Sequence, residues 1–400
     1  MDKNKLIQSA KDHCFFICLN DSGAELCKAN AVYGIAGIHY VQKYLGLLPK
    51  ATFISTPDMT ITRNASRWQS GFGYGGKISW GEGNDELIIL NTKPNACGML
   101  VGGLRELPSI ESLIKKLHKM DKEKVKIDGV KVEWDFYKGN HFIDIFEVKP
   151  MAKTRLKLTS YAFVIHGSGN ELKEDNDLTG FGLYYNKSKK LYNKAEKIKT
   201  PFGNFFILTG SNARDYFKKY RQAEKFSEKK RKLAAQLLFG NYVEISNHTH
   251  QGLINMNEII LGCHYLKGDK SGLFPLTLRG DLPAYLVRGV PNLTPESIEF
   301  LGFEKRAKRL GLYEKLLKAN IFPHGGGYVL PDILNVNKVI EIERKRYFEV
   351  DMLNDRGIKI ISEVRELPFD YRGRTVVLRA LEVGIIKVVV KLIPRFVFKI

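Results

Sequence analysis

The 400-residue chain reads as an α+β protein. Short apolar and β-branched runs recur along its whole length. One long amphipathic helical pattern lies among them, and the two kinds of segment do not alternate with the strand–helix–strand regularity of a parallel sheet. A hydrophobic fraction of 44% against a charged fraction of 26% supplies enough apolar surface for a large core. No linker, internal repeat or low-complexity tract divides the chain, so residues 1–400 are expected to form a single domain.

The strand-like runs are 87–90, 142–148, 161–165, 205–208, 259–263, 284–287 and 388–392, each bounded by Gly, Pro, Asn or Lys. The helix spans about 213–239, where Tyr216, Tyr220, Ala223, Phe226, Leu233 and Leu237 recur at mostly three- and four-residue steps. On its other face Glu228-Lys229-Lys230-Arg231-Lys232 is expected to form an exposed basic ridge, read first as a solvated surface and second as an RNA contact.

Lys and Arg number 63 against 43 Asp and Glu, a formal charge of +20. Such a chain attracts polyanions, with nucleic acid ahead of an acidic membrane surface as the expected partner. No apolar run approaches the roughly 18 residues of a membrane span, and the short run at 14–19 is not a signal peptide. The five cysteines are odd in number and unevenly spread, which argues against a disulfide framework and for a reducing, cytoplasmic setting.

Candidate chemistry lies in loops flanked by Gly or Asn. His141 stands in Gly139-Asn140-His141-Phe142, His166 in His166-Gly167-Ser168-Gly169, and His248 and His250 in Asn247-His248-Thr249-His250. Cys97 stands in Asn95-Ala96-Cys97-Gly98. Thiolate and imidazoles suit a transition metal, and ligands scattered along the chain are the enzyme-like pattern. No C-x-x-C pair is present, so a structural zinc ribbon is not expected. In His324-Gly325-Gly326-Gly327 the glycines let backbone approach an anion closely, and the imidazole can act as a nucleophile toward phosphorus. The same H-G-G-G serves as an oxyanion-hole element in esterases, but no G-x-S-x-G accompanies it, and no P-loop motif occurs.

Taken in order, these segments resemble the RtcB family of RNA-splicing ligases over most of the chain. Pro57-Asp58 and Gly71-Phe72-Gly73-Tyr74-Gly75-Gly76 resemble its M-P-D and G-Y-G-F-P-I-G-G segments. Pro94-Asn95-Ala96-Cys97-Gly98-Met99 resembles D-x-x-C-G-M, Gly139-Asn140-His141-Phe142-Ile143-Asp144 resembles G-N-H-F-x-E, and His166-Gly167-Ser168-Gly169 resembles H-S-G-S-R. The helix with Arg231, the Asn247-His248 segment, His264-Tyr265-Leu266-Lys267-Gly268, His324-Gly325-Gly326-Gly327-Tyr328 and the closing Leu392 to Lys399 resemble later family motifs.

The resemblance implies one compact catalytic domain with mixed sheets around a deep metal-containing cleft. It implies one or two Mn²⁺ ions on Cys97, His141, His166 and His248, and a GTP-dependent RNA ligase joining 3′-phosphate to 5′-hydroxyl ends. His324 would carry the GMP as a covalent intermediate. Asn140, Asp144, Gly325, Gly326 and Lys399 would contact the nucleotide, with Asp58 in support. Broken RNA such as tRNA halves would be the partner, Lys267 would hold its phosphates, an archease-like activator is a further candidate, and the chain would act as a monomer. Pro94 stands where the family has a metal-binding Asp, Tyr328 and Asn170 where it has Arg, and Asp144 where it has Glu. Two other readings stay open: an RNA-binding relative that does not ligate, and another metal-dependent nucleotidyl-transfer enzyme.

Overall fold

Every one of the seven apolar runs coincides with a strand in the computed structural model, which describes residues 2–151, 158–267, 272–291, 293–354 and 357–399. Five of them enter one eleven-stranded sheet. Its order is Cys14–Phe15, Thr52–Thr60, Tyr74–Ser79, Glu258–Leu261, Val243–Asn255, Cys97–Leu104, Tyr161–Gly167, Phe142–Pro150, Ile386–Phe398, Ala284–Gly289, Phe274–Leu276. The first two strands pair in parallel and the remaining neighbours antiparallel. The end strands do not pair with each other, so the sheet is not a closed barrel. With ten α-helices among the described residues, the fold is α+β.

The centre of the sheet is covered on both faces. Along the wholly buried Cys97–Leu104 strand, Leu100 and Leu104 pack with Phe163, Ile165, Ala234 and Leu238, while Met99 and Val101 pack with Leu286, Val390 and Leu392. This two-residue alternation is what a strand with two apolar faces requires. The helix Ser22–Tyr44 is buried on most of its circumference and starts at Asp21, whose carboxylate accepts from Ala24 N at 3.1 Å. Lacking a polar face, it has no amphipathic stripe by which the sequence would announce it.

The long helix runs Gly210–Phe239, but the expected basic ridge is corrected. Lys230 and Arg231 are buried, because they fall on the same side as Ala223, Ser227 and Ala234. Lys230 Nζ pairs with Glu171 at 2.7 Å and Asp135 at 3.4 Å. Arg231 donates to Asn247 Oδ1 at 2.8 Å and to the Gly167 carbonyl at 3.1 Å. Lys229 and Lys232 remain on the surface. A three-stranded sheet, Ile333–Ile342, Lys345–Met352 and Ile358–Ile361, packs Phe348 and Val350 against Leu26 and Trp68. All five cysteines are buried free thiols. Among the described residues, no helix is long and apolar enough to cross a membrane.

Candidate metal centre

Cys97 is the first residue of its strand, and its neighbours in the sheet bring the histidines to it. On one side the Tyr161–Gly167 strand pairs Met99 with His166. On the other, the Val243–Asn255 strand pairs His248 with Met99, Thr249 with Gly98 and Gln251 with Cys97, leaving His250 as the extra residue of a β-bulge. A bulge re-aims side chains relative to strict alternation, and His250 joins the group while His248 does not. Cys97 Sγ lies 3.0 Å from His166 Nε2, and that nitrogen lies 3.2 Å from His250 Nε2. The three donor atoms all fall within 4.8 Å of one another and are buried. Donors around one tetrahedral ion, with bonds of about 2.0–2.3 Å, stand roughly 3.3–3.8 Å apart, so this group can hold a metal ion.

The second layer fixes the ligands. His166 Nδ1 bonds the Asn140 carbonyl at 2.7 Å, which keeps its proton there and leaves Nε2 free as a donor to metal. His141 Nε2 is 3.7 Å from Cys97 Sγ, and its Nδ1 is 2.9 Å from Asp135 Oδ2. Burial opposes charge on His141, but Asp135 and Cys97 outweigh it and raise the imidazole to about 9. Burial likewise opposes a Cys97 thiolate, and the electrostatic interaction with His166 together with hydrogen bonds to His141, His166 and His250 holds the thiol well below its usual range. Gly98 leaves room for Arg231, since a Cβ there would stand 2.8 Å from the guanidinium.

His324 faces this group across a narrow gap, its ring centre 4.4 Å from that of His250. Asp58 Oδ2 accepts from His324 Nδ1 at 2.8 Å, His324 N at 3.0 Å and Gly325 N at 3.2 Å, while Asp58 Oδ1 accepts from Thr56 Oγ1 at 2.6 Å. The His324 Nε2 is thereby left as the atom for chemistry. Gly327 has φ +69°, and a Cβ there would meet the Asp58 carbonyl oxygen at 2.5 Å, so the turn requires glycine. Arg372 ties the two segments together, donating to the carbonyls of Asp58, Met59 and Gly326 and pairing with Asp21.

Cys97, His141, His166, His250 and the His324–Gly327 loop line one cleft of about 1020 Å³, counting its open mouth, together with Asn140, Asp144 and Lys399. Burial raises the Asp144 carboxyl to about 8, against a smaller opposite pull from Lys399. Lys399 Nζ donates to the Gly139 and His141 carbonyls, both at 2.7 Å, pinning the closing strand to the Asn140 loop.

Cys97, His166 and His324 meet in the cleft, with His141 beside them in contact with Cys97. His248, expected as a ligand, stacks on Phe274 at 4.2 Å and lines a separate cavity with Arg221, Glu224 and Lys267, so the corrected third donor is His250. His166, His248 and His250 lie in strands rather than loops. Tyr328 is buried against Phe369 and Tyr371, and Gly268 lies outside the described residues. Asp135 and Arg372 carry no local motif and went unforeseen. No protein-family model and no curated protein matches the chain.

Proposed function

We propose that the chain is a GTP- and Mn²⁺-dependent RNA ligase that joins a 3′-phosphate, or 2′,3′-cyclic phosphate, end to a 5′-hydroxyl end. The observation that carries this reading is one cleft holding a thiolate–imidazole donor group, a histidine oriented by a buried carboxylate, and a glycine turn beside it. In this reading His324 Nε2 attacks the α-phosphorus of GTP and pyrophosphate leaves. A 2′,3′-cyclic end is first opened by water, which breaks the P–O2′ bond and leaves a 3′-phosphate; that 3′-phosphate then displaces His324 and takes the GMP. Attack of the 5′-hydroxyl on that phosphate releases GMP and forms the new phosphodiester bond. Asp58 holds the proton on Nδ1 and stabilises the imidazolium-like charge that develops on the ring.

A metal ion on Cys97, His166 and His250 would supply Lewis-acid neutralisation of phosphate charge. Its identity as Mn²⁺ is part of the proposal. Asp144 is largely protonated near neutral pH, so it can donate as well as accept toward a nucleotide base, and Lys399 holds the Asn140 loop around it. The reading carries with it a cytoplasmic monomer acting on broken RNA, with or without an archease-like activator.

Pro94 favours a second reading, an RNA-binding relative that does not seal ends, because proline offers no ligand where a second ion would need one. The test is ligation of two RNA strands bearing 3′-phosphate and 5′-hydroxyl ends, with Mn²⁺ and GTP. A GTP-dependent joined product supports the ligase. RNA binding without product, with metal bound, supports the second reading.

A further inference from the structure

The turn that brings Asn140 and His141 to the metal cleft presents another pair of side chains to solvent. Residues 134–141 leave the Lys126–Ile127/Val130–Lys131 hairpin and lead into the Phe142–Pro150 strand. Phe136 is buried and stacks on the partly buried Trp134 at 6.0 Å, and the Trp134 indole donates to the Met120 carbonyl at 3.1 Å. Lys138 N donates to the Asp135 carbonyl at 3.0 Å, and His141 N to the Lys138 carbonyl at 3.2 Å. Lys399 holds the Gly139 and His141 carbonyls from the other side. The backbone of this turn is therefore fixed, yet the Tyr137 side chain is 56% exposed. Among the described residues its only ring contact is the Lys138 ammonium, 5.0 Å from the ring centre. A Cβ on Gly139 would meet nothing within 4 Å, so the space over the turn is open. Asn140 and Lys399 line the cleft, which puts the Tyr137 ring at its rim. Large aromatic side chains mostly bury their rings, and packing gives no reason for this one to stand out.

The surface leading to the ring is basic. Lys126 and Lys131 stand directly opposite each other across the hairpin, and both are exposed. Like charges in that position repel and weaken the pairing. Lys124, also exposed, precedes them. Among the described residues, none of Lys124, Lys126, Lys131 and Lys138 forms an ion pair. The acids nearby are mostly taken. Asp128 pairs with Lys229 at 2.8 Å, and the buried Asp135 pairs with His141 and Lys230. Glu133 alone offers an exposed, unpaired carboxylate in residues 124–140, against four lysines.

We propose that this strip, from the Lys126–Lys131 pair to Tyr137, holds the single-stranded RNA that leads into the cleft. One base lies on the Tyr137 ring, and backbone phosphates lie on Lys138, Lys131 and Lys126. An exposed ring flanked by cations is how single strands are held without base-specific contacts. A polyanion also relieves the repulsion between Lys126 and Lys131. The inference rests on the reading that the cleft works on RNA ends.

The test uses the full chain without GTP. Fluorescence anisotropy follows binding of a labelled single-stranded RNA of about ten nucleotides, ending in a 3′-phosphate, over a series of salt concentrations. Tyr137→Ala should lower the affinity about tenfold, while Tyr137→Phe, which keeps the ring, should stay within about twofold of the parent. Lys131→Ala/Lys138→Ala should bind more weakly, with a salt slope smaller by roughly 1.4 for two lost phosphate contacts. Lys5→Ala/Lys305→Ala removes equal charge from exposed positions on the Lys3–Asp12 and Glu304–Leu310 helices and should bind as the parent does. Ultraviolet cross-linking should attach the strand to the peptide containing Tyr137. No RNA binding by the parent, equal losses in the two double variants, or unchanged affinity in a folded Tyr137→Ala variant would overturn the proposal. Covalent GMP on His324, which tests the ligase reading, is measured without RNA, so either can fail alone.

Discussion

Asp58, buried, and His324, 266 residues away in the chain and open to the cleft, form a pair in which one carboxylate oxygen accepts from both the ring and the backbone of the histidine. The pair sets the tautomer of His324 and the position of its loop at once. Asp58→Asn keeps the size but replaces an acceptor with an amide that can present a donor, favouring the wrong tautomer. Covalent GMP formation should fall by about 10²–10⁴, the range seen when an orienting carboxylate of a catalytic histidine is neutralised. Thermal melting should show a folded protein. Unaltered labelling in a folded Asp58→Asn variant would refute the orienting role.

The His250 assignment is tested by metal binding alone. Co²⁺ added to the parent should give a thiolate-to-metal charge-transfer band and the visible bands of a tetrahedral site. Cys97→Ser should lose the charge-transfer band. His250→Ala should weaken Co²⁺ binding by about a hundredfold, and His248→Ala should leave it unchanged. The reverse order of the two histidine variants would restore His248 as the ligand.

Lys230 is enclosed with Glu171 and Asp135, and all three side chains are 3% exposed or less. Lys230→Met preserves the stem and removes the charge, leaving Glu171 without its cation and Asp135 with His141 alone. A loss of about 3–5 kcal/mol is expected in urea unfolding. Because Asp135 also contacts His141, Co²⁺ affinity should drop in the same variant at temperatures where it stays folded. A loss below 1 kcal/mol would mean the network is solvated in solution.

Stability should fall on mild acidification, and His39 is one cause. Its ring is buried, bonds the Ala51 carbonyl at 2.8 Å and Ser9 Oγ at 3.3 Å, and burial, followed by smaller influences, lowers it to about 3. The unfolded histidine binds a proton below about pH 6.5, whereas the folded one does so only near 3. In that window the unfolded state holds more protons, so stability rises with pH and declines as pH drops from 6.5 toward 3. The contribution is up to roughly 4 kcal/mol over the whole window. Melting curves between pH 7 and 4.5 should show a shallower decline for His39→Gln than for the parent, even though the variant starts lower. An identical slope would remove His39 from the explanation.

Seven strands were legible as short apolar, β-branched runs between Gly, Pro, Asn or Lys, and the long helix by the three- and four-residue steps of its apolar residues. The Ser22–Tyr44 helix was not, since burial around most of its surface erases that period. For the site, Cys97, His166 and His324 were legible as chemical types held by glycine-rich segments. The choice between His248 and His250 was not, because it turns on one bulge in strand register. Asp135 and Arg372 stayed hidden because ordinary charged residues become site partners only through tertiary contact. The supposed basic ridge failed for the same reason: helix geometry buries Lys230 against Asp135 and Glu171, and Arg231 against the Asn247 side chain and the Gly167 carbonyl, all distant in sequence.

In the proposed reaction His324 is the nucleophile toward the α-phosphorus of GTP, beside the Cys97–His166–His250 group. The parent protein is incubated with Mn²⁺ and GTP, digested, and the peptide containing His324 is weighed by mass spectrometry under conditions that spare acid-labile phosphoramidates. An added GMP on His324, lost in His324→Ala and in Cys97→Ser, is expected. An unmodified His324 peptide from metal-loaded protein, or GMP on a different residue, would contradict it.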